Sequence, residues 1–436
     1  MTLGRLGAIG VFMELCYLSF YVVSDGPGNV LLFIGTGIVA FLLFACVVYQ
    51  LRTSRRLIAS GNQLLAIIIG FAALFRLTLV PHSPVASDDV YRYVWDGKVA
   101  ASGINPFAFA PNDPRLSHLH TTDLPAKINF PDMRTIYPPL AQVFFFVSHQ
   151  LFGDSISGLK ALLVLADLLS VLLLVLLLHR LDMLREAVIL YAWSPLPILY
   201  FALDGHIDAL GIPFLILCLL LAHKHRYVAA AVSLGVGALV KLYPLIVAPF
   251  LLKGRDGRWK PWAPLIPVLM LALGCWFYLE PTGGLYESLA MFAHRWEFNG
   301  SMFELLYFIA RSNDVAHLVS GILFLCWLGW VFVVKRSLVE KVFLAFLGFV
   351  IFGPVVHPWY LCWLAAILVV RWSLPVFVLL GFSSVSNIVV YVHRASGTWQ
   401  DQPVVLLIEY LPFYVLLVRE IAQRTFSPVE QQLPLR

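Results

Sequence analysis

The sequence predicts an all-α, polytopic transmembrane helix bundle with about 12–14 spans. Three observations predict it. Of 436 residues, 60% are hydrophobic and only 13% charged, where a soluble domain carries about 25% charged residues; mean hydropathy is +0.84. Apolar runs of about 20 residues, the length that crosses a hydrocarbon core of about 30 Å, recur from one end of the chain to the other. The polar residues are concentrated, above all in one stretch between the third and fourth long runs.

Taken in order, Arg5 and the apolar Leu6–Val23 have the outline of a signal peptide. Glu14 interrupts the run, no small-residue cleavage site is clear and more spans follow, so a retained first helix is expected. Crossing candidates are 7–23, 30–50, 63–80, 158–178, 187–203, 207–222, 227–240, 243–252, 262–279, 315–334, 340–355, 358–370, 374–392 and 403–418. The segment 138–152 is apolar but short. Pro244, Pro249, Pro261, Pro264 and Pro267 punctuate the middle of the chain, as kinked helices or as backbone lining a cavity. There is no soluble domain, low-complexity tail or internal repeat, so residues 1–436 read as one integral membrane domain.

Lys and Arg set the orientation. Arg52/Arg55/Arg56, Arg180/Arg185, Lys224/Arg226, Lys253/Arg255/Arg258/Lys260, Lys335/Arg336/Lys341 and Arg419/Arg424 lie in short loops. That is the positive-inside pattern of a cytoplasmic (inner) membrane protein, and it removes any need for nucleic acid to explain the net charge of +5. All these loops face the cytoplasm only if 138–152 leaves on the side it enters, as a half-membrane helix packed on protein. The loop 81–137 then faces outward, with the shorter loops around 204–208, 280–301, 357–359 and 393–402. The six cysteines fall inside apolar runs without metal-ligand spacing and read as small buried hydrophobes.

The chemistry-bearing stretch reads SDDVYRYVWDGKVAASGINPF at 87–107 and INFPDMRTIYPPLAQ at 128–142. Ser87 suits a helix N-cap, with Asp88 and Asp89 in the first turn, where the helix dipole favours negative charge. Asp88, Arg92 and Asp96 then share one face, with Tyr91, Val94, Trp95 and Val99 on an apolar side. This predicts a short amphipathic helix at the membrane surface. Gly103 and Pro106 end it, and Pro138–Pro139 suit the start of the next helix.

The acid pair followed by RYVWDG, then GINPF and TIYPPLAQ, resembles the polytopic GT-C glycosyltransferases, and within them the bacterial polyprenol-phosphomannose-dependent mannosyltransferases. DGHID at 204–208, KLYP at 241–244, WEFN at 296–299 and HPWY at 357–360 extend the likeness, in order, over most of the chain. The resemblance implies an inverting transfer of a sugar, mannose first, from a polyprenyl-phosphate donor to a hydroxyl of a glycan or glycolipid outside the membrane. It implies a general base early in the first outer loop, here Asp88 or Asp89, with Asp88 narrowly preferred.

The residues agree in kind. Displacing a lipid phosphate calls for a carboxylate to take the acceptor proton and for cations at the departing phosphate. Arg92, Lys241, Arg76 and His357 are the candidates for that phosphate; snorkelling is the other reading of Arg76. Trp95, Asp96, Asn105, Tyr137, Gln142, Asp204, His206, Asp208, Trp296, Asn299, Trp359 and Tyr360 are candidates for sugar or acceptor contact. The spacing of Asp204, His206 and Asp208 is metal-like, but one turn seldom completes a site; a solvated outer turn or a share in the sugar pocket is preferred. A divalent cation is allowed and not required. No nucleotide-binding glycine fingerprint occurs, which suits a lipid-linked donor. Asp167 and Glu409, deep in spans, could serve a proton-coupled transporter or flippase of lipid-linked sugars, the alternative function; pairing within the bundle explains them as well. A non-catalytic scaffold would leave the polar loop unexplained.

Overall fold

The computed structural model describes residues 2–22, 28–53, 61–254, 256–278, 284–400 and 402–426. Val23, Arg55, Arg56, Arg255 and Glu280 of the expected spans and loops lie outside the described residues. The described chain is all-α. Its only extended pairings are isolated bridges of Phe298 and Asn299 with Val355 and of Lys253 with Trp259.

Helix α1 (Leu3–Leu18) packs on α2 (Gly28–Thr53) and α3 (Gly61–Leu79). The polar stretch carries α4 (Asp89–Ala101) and α5 (Pro139–Phe152), which pack side by side before α6 (Ile156–Arg180). Helix α7 is a pair, Arg185–Ala192 and Pro195–Leu203, bent by 49°. Helices α8 (Asp208–His223) and α9 (Tyr227–Val240) form a tight hairpin, followed by a 3-10 run over Tyr243–Leu252. Then come α10 (Leu265–Trp276), α11 (Gly284–Arg295), α12 (Ser301–Ala310), α13 (Asn313–Val333), α14 (Leu338–Phe352), α15 (Pro358–Leu368), α16 (Leu374–Ser396) and α17 (Pro403–Phe426).

Six of these helices are long and apolar enough to cross a bilayer, or seven with the bent pair counted as one. The 12–14 apolar runs are therefore not 12–14 full-length helices. Around 207–279 the helices are 16, 14, 10 and 12 residues long, short of the roughly 20 residues of a full span. At about 1.5 Å per residue for the α-helices and about 2.0 Å for the 3-10 run, these reach about 18–24 Å. Pro244, Pro249, Pro261 and Pro264 explain the breaks, because proline removes a donor and crowds the preceding turn. Ser194 before Pro195 is likewise held out of the helical region, at φ −59° and ψ 125°, and bends α7.

Contacts between distant residues sort the bundle into two ends. Lys160, in the first turns of α6, donates to the carbonyls of Leu79 (3.1 Å) and His82 (2.7 Å) at the end of α3. Everything between, α4 and α5 included, therefore leaves and returns at the same end of the bundle. That same end receives the α7–α8 turn, the 298–357 region and the close of α16, where Arg394 reaches Val85. The opposite end collects basic residues: Arg185 on Asn62, Arg52 over the Trp372 ring, Arg371 on Glu420 and Lys341 on the Phe332 carbonyl.

Helix α4 departs from the amphipathic surface helix. Val90, Arg92, Tyr93, Val94, Trp95, Asp96 and Val99 are all buried. Helix α5 covers one side, with the Tyr93 and Phe145 rings stacked at 4.8 Å and Gly97 pressed on the Phe145 carbonyl with no room for a Cβ. The loop 102–138 covers the other. Two charged residues are tolerated inside because they neutralise each other: Arg92 Nε lies 2.8 Å from Asp96.

Candidate active site

The acid pair divides at the start of α4. The helix begins at Asp89, so Asp88 occupies the cap position expected of Ser87; the Ser87 hydroxyl accepts the Asp89 N–H at 3.3 Å. Asp88 points outward, 47% exposed, and meets Arg394 at 3.2 Å rather than Arg92. Asp89 points inward, 22% exposed. It accepts a hydrogen bond from the Asn129 amide at 3.1 Å, and its other oxygen is 3.6 Å from His206 Nδ1. Burial raises the Asp89 pKa; the Asn129 hydrogen bond and the Lys241 charge oppose this.

The turn 204–208 is not solvated: Asp204, His206 and Asp208 are each fully buried. A π-type turn over Ile198–Leu203 delivers them, and Gly205 lets the backbone reverse. Gly205 has φ +79°, and a Cβ there would come within 2.9 Å of Val90 of α4, so both conformation and contact require glycine. The three polar residues then diverge. Asp204 accepts the N–H groups of Val85 (2.7 Å) and Ala86 (3.1 Å), fixing the strand of loop that leads into the acid pair. Burial pushes its pKa up to about 7, against those N–H groups and Lys160. Asp208 receives Lys241 Nζ and the Trp363 indole N–H, each at 2.7 Å. His206 keeps both ring nitrogens buried without a hydrogen-bond partner. Burial, then the charge of Lys241, holds its pKa well below the usual histidine range, so the ring is neutral. Among the described residues no group of three or more His, Cys, Asp or Glu could hold a metal ion.

Aromatic rings wall this cluster. His206 stacks on Trp359 at 3.7 Å, Trp359 on His357 at 4.2 Å, and His357 on Phe298 at 4.4 Å. Burial and Lys241 lower the His357 pKa to about 3, so it contributes a neutral ring, not a cation, at neutral pH. Lys241 ends α9 in extended backbone with its ammonium over the rings of Tyr360 (4.8 Å) and Tyr243 (5.3 Å). Tyr137 stands edge-on to Tyr93 at 4.8 Å, near enough to Asp89 for that charge to raise its pKa further than burial alone.

The fold thus brings Asp89, His206, Asp208, Lys241, Tyr137, His357, Trp359 and Tyr360 together, with Asp88 and Trp296 at the margin. Trp296 packs edge-on against Phe130, the neighbour of Asn129, at 4.5 Å. Other expected residues hold the scaffold. Arg76 does not snorkel: it is fully buried, 2.5 Å from Asp167 and bonded to the Ala72 and Ala192 carbonyls. Asp167 also accepts from the Tyr191 hydroxyl at 2.5 Å, so both its oxygens are paired within the bundle. Arg92 donates to Asp96 and to the Met133 carbonyl (2.9 Å), while Gln142 donates to Asp96 (3.1 Å) and Thr135 (2.9 Å). Trp95 packs on His120 at 5.3 Å within the loop. Asn105 accepts the Phe107 N–H at 3.0 Å in its own turn. Asn299 donates to Glu409 at 2.7 Å, which ties the second deep acid into the bundle.

Sequence reasoning missed Asn129, Arg394, Tyr243 and Trp363. Asn129 stood in the INFP stretch, Tyr243 in KLYP, and Arg394 beside a loop assigned to the same face; Trp363 sits in an apolar run and carried no signal.

No curated protein matches the chain. A family profile does: the N-terminal domain of alpha-(1->6)-mannopyranosyltransferases matches residues 13–253, more than half of the chain and the whole of the segment that carries Asp89, His206, Asp208 and Lys241. The match decides between the enzyme and the transporter, and the chain belongs to this alpha-(1->6)-mannopyranosyltransferase family: it is a multi-pass, membrane-embedded mannosyltransferase.

Proposed function

We propose that this mannosyltransferase takes mannose from a polyprenyl-phosphate donor and passes it, with inversion at the anomeric carbon, to a hydroxyl of a glycan or glycolipid outside the cytoplasmic membrane. The observation that carries the reading is the state of Asp89. It is the inward acid of the pair, and its contacts are an amide and a neutral imidazole. Asp88, Asp96, Asp167 and Asp208 each already face a cation. A carboxylate without a cation in contact, its pKa raised by burial, has the added basicity that suits a general base.

In this mechanism the acceptor oxygen bonds to the anomeric carbon while the carbon–oxygen bond to phosphate breaks. The acceptor proton passes to Asp89, and the electron pair leaves with the polyprenyl phosphate. Lys241 has three N–H donors, of which Asp208 holds one, which leaves donors for the phosphate. Arg394 adds a second cation at the mouth. The ring ladder of His206, Trp359 and His357 offers flat apolar faces for the sugar, and loop 81–137 closes over it. The outward-facing site is supported by the basic residues gathered at the opposite end of the bundle. The donor is tested by giving the purified protein radiolabelled polyprenyl-phosphomannose or GDP-mannose with a mannan acceptor. Label is expected in glycan only from the lipid donor; transfer from GDP-mannose alone refutes the reading.

A further inference from the structure

Away from the candidate site, a groove of about 840 Å³ runs along the α8–α9 hairpin. Its walls are Phe214, Leu217, Val232 and Val236, and its mouth is formed by His225, Arg226, Lys260 and Trp262. The mouth is not an annex of the catalytic cluster. Helix α8 starts at Asp208 in that cluster and ends at His223, and 16 residues at 1.5 Å each separate the two by about 24 Å.

The groove is built with two different ends. The shaft is apolar and open to the surroundings: Val228 is 57% exposed and Val232 40%. The mouth is basic. Lys260 lies over the Tyr227 ring at 4.6 Å and 3.1 Å from Asp256. Arg226 is exposed and has no ion pair or side-chain hydrogen bond among the described residues. The bordering loops set Lys224, Arg226, Arg258 and Lys260 against a single acid, Asp256. Trp262 at the mouth is 41% exposed, and indoles favour the boundary between headgroups and acyl chains. The volume lies in the range of cavities that enclose a small ligand, about 300–1,000 Å³. A basic mouth on an apolar slot between apolar helices is the arrangement that holds an anionic headgroup above its tail.

We propose that this groove is a binding site for a diacyl phospholipid with an anionic headgroup, its phosphate at Arg226 and Lys260 and an acyl chain along Leu217, Val232 and Val236. A polyprenyl phosphate with its phosphate at that mouth would lie the length of α8, about 24 Å, from the Asp208 end of the catalytic cluster, out of reach of transfer. The test is native mass spectrometry of the full chain in neutral detergent, titrated with phosphatidylglycerol or phosphatidylcholine of equal chain length. The wild type is expected to retain one phosphatidylglycerol under conditions that strip phosphatidylcholine. Arg226→Glu changes the mouth by two charges and should weaken retention about 30-fold; Val232→Trp, which fills the shaft, should weaken it as well, and Arg226→Lys should not. Equal retention of the two lipids, undiminished retention by both Arg226→Glu and Val232→Trp, or displacement of phosphatidylglycerol by an equal amount of polyprenyl phosphate would each overturn the proposal.

Discussion

Replacing Asp89 by asparagine separates chemistry from structure at the proposed base. The asparagine keeps the shape of the carboxylate and one oxygen for the Asn129 amide, now at 3.1 Å, so the loop 128–142 stays pinned to α4. The pair at 3.6 Å with a neutral His206 loses little, since no ion pair existed. What disappears is the ability to take a proton. General base catalysis contributes about 10²–10⁴-fold, or about 3–5 kcal/mol of barrier at 1.36 kcal/mol per tenfold. Asp88→Asn is the matched control: it loses one half-exposed contact with Arg394 at 3.2 Å, an interaction of less than about 1 kcal/mol. The assay is initial-rate transfer of label from saturating polyprenyl-phosphomannose in nanodiscs, with donor binding measured separately. The expected result is kcat lowered at least about 100-fold for Asp89→Asn with donor affinity kept, and less than about tenfold for Asp88→Asn. An Asp89→Asn enzyme within tenfold of wild type, or an Asp88→Asn enzyme that falls further than Asp89→Asn, would refute the assignment.

Three further outcomes are expected. Lys241→Met leaves Asp208 buried with only the Trp363 indole and should cost about 3–5 kcal/mol, with donor KM raised; adding Asp208→Asn should recover the melting temperature but not KM. Arg76→Met strands Asp167 in the same way and should lower the melting temperature comparably, while donor KM stays at the wild-type value, because Arg76 faces the bundle and not the donor. Asp204 has a pKa of about 7 in the folded chain against about 3.9 unfolded, so the folded state binds its proton more tightly and wild-type stability falls as pH rises from about 4 to about 7. Asp204→Asn keeps an acceptor for Val85 and Ala86 and should remove that slope from a plot of melting temperature against pH.

The site was readable from sequence to the extent that its residues are neighbours along the chain. The acid pair, the DGHID turn and KLYP all announce themselves as polar groups between apolar runs, and all reach one cluster. The choice within each motif was not readable. Asp88 and Asp89 are equivalent on paper; they differ because Asn129, 40 residues on, covers one, while Arg394, 306 residues on, takes the other. Arg76 presents as a phosphate ligand or a snorkelling cation until Asp167, 91 residues away, claims it. The amphipathic pattern of α4 is real, yet its polar face is an interior one, because Arg92 and Asp96 satisfy each other and Gln142 closes over them.

Composition and the spacing of apolar runs were enough to decide that this chain lives in a bilayer, that it is helical, and that its chemistry is confined to a few polar breaks. Those properties follow from transfer free energies summed over consecutive residues, which need no partner to be named. Which acid of the Asp88–Asp89 pair is left without a cation, which lysine is held by an aspartate, and which helices stop short of a full crossing were decided by the folded structure alone. Each of those turns on charges and backbone groups that meet across tens to hundreds of residues, and in a medium of low dielectric a buried charge is defined by the group that faces it.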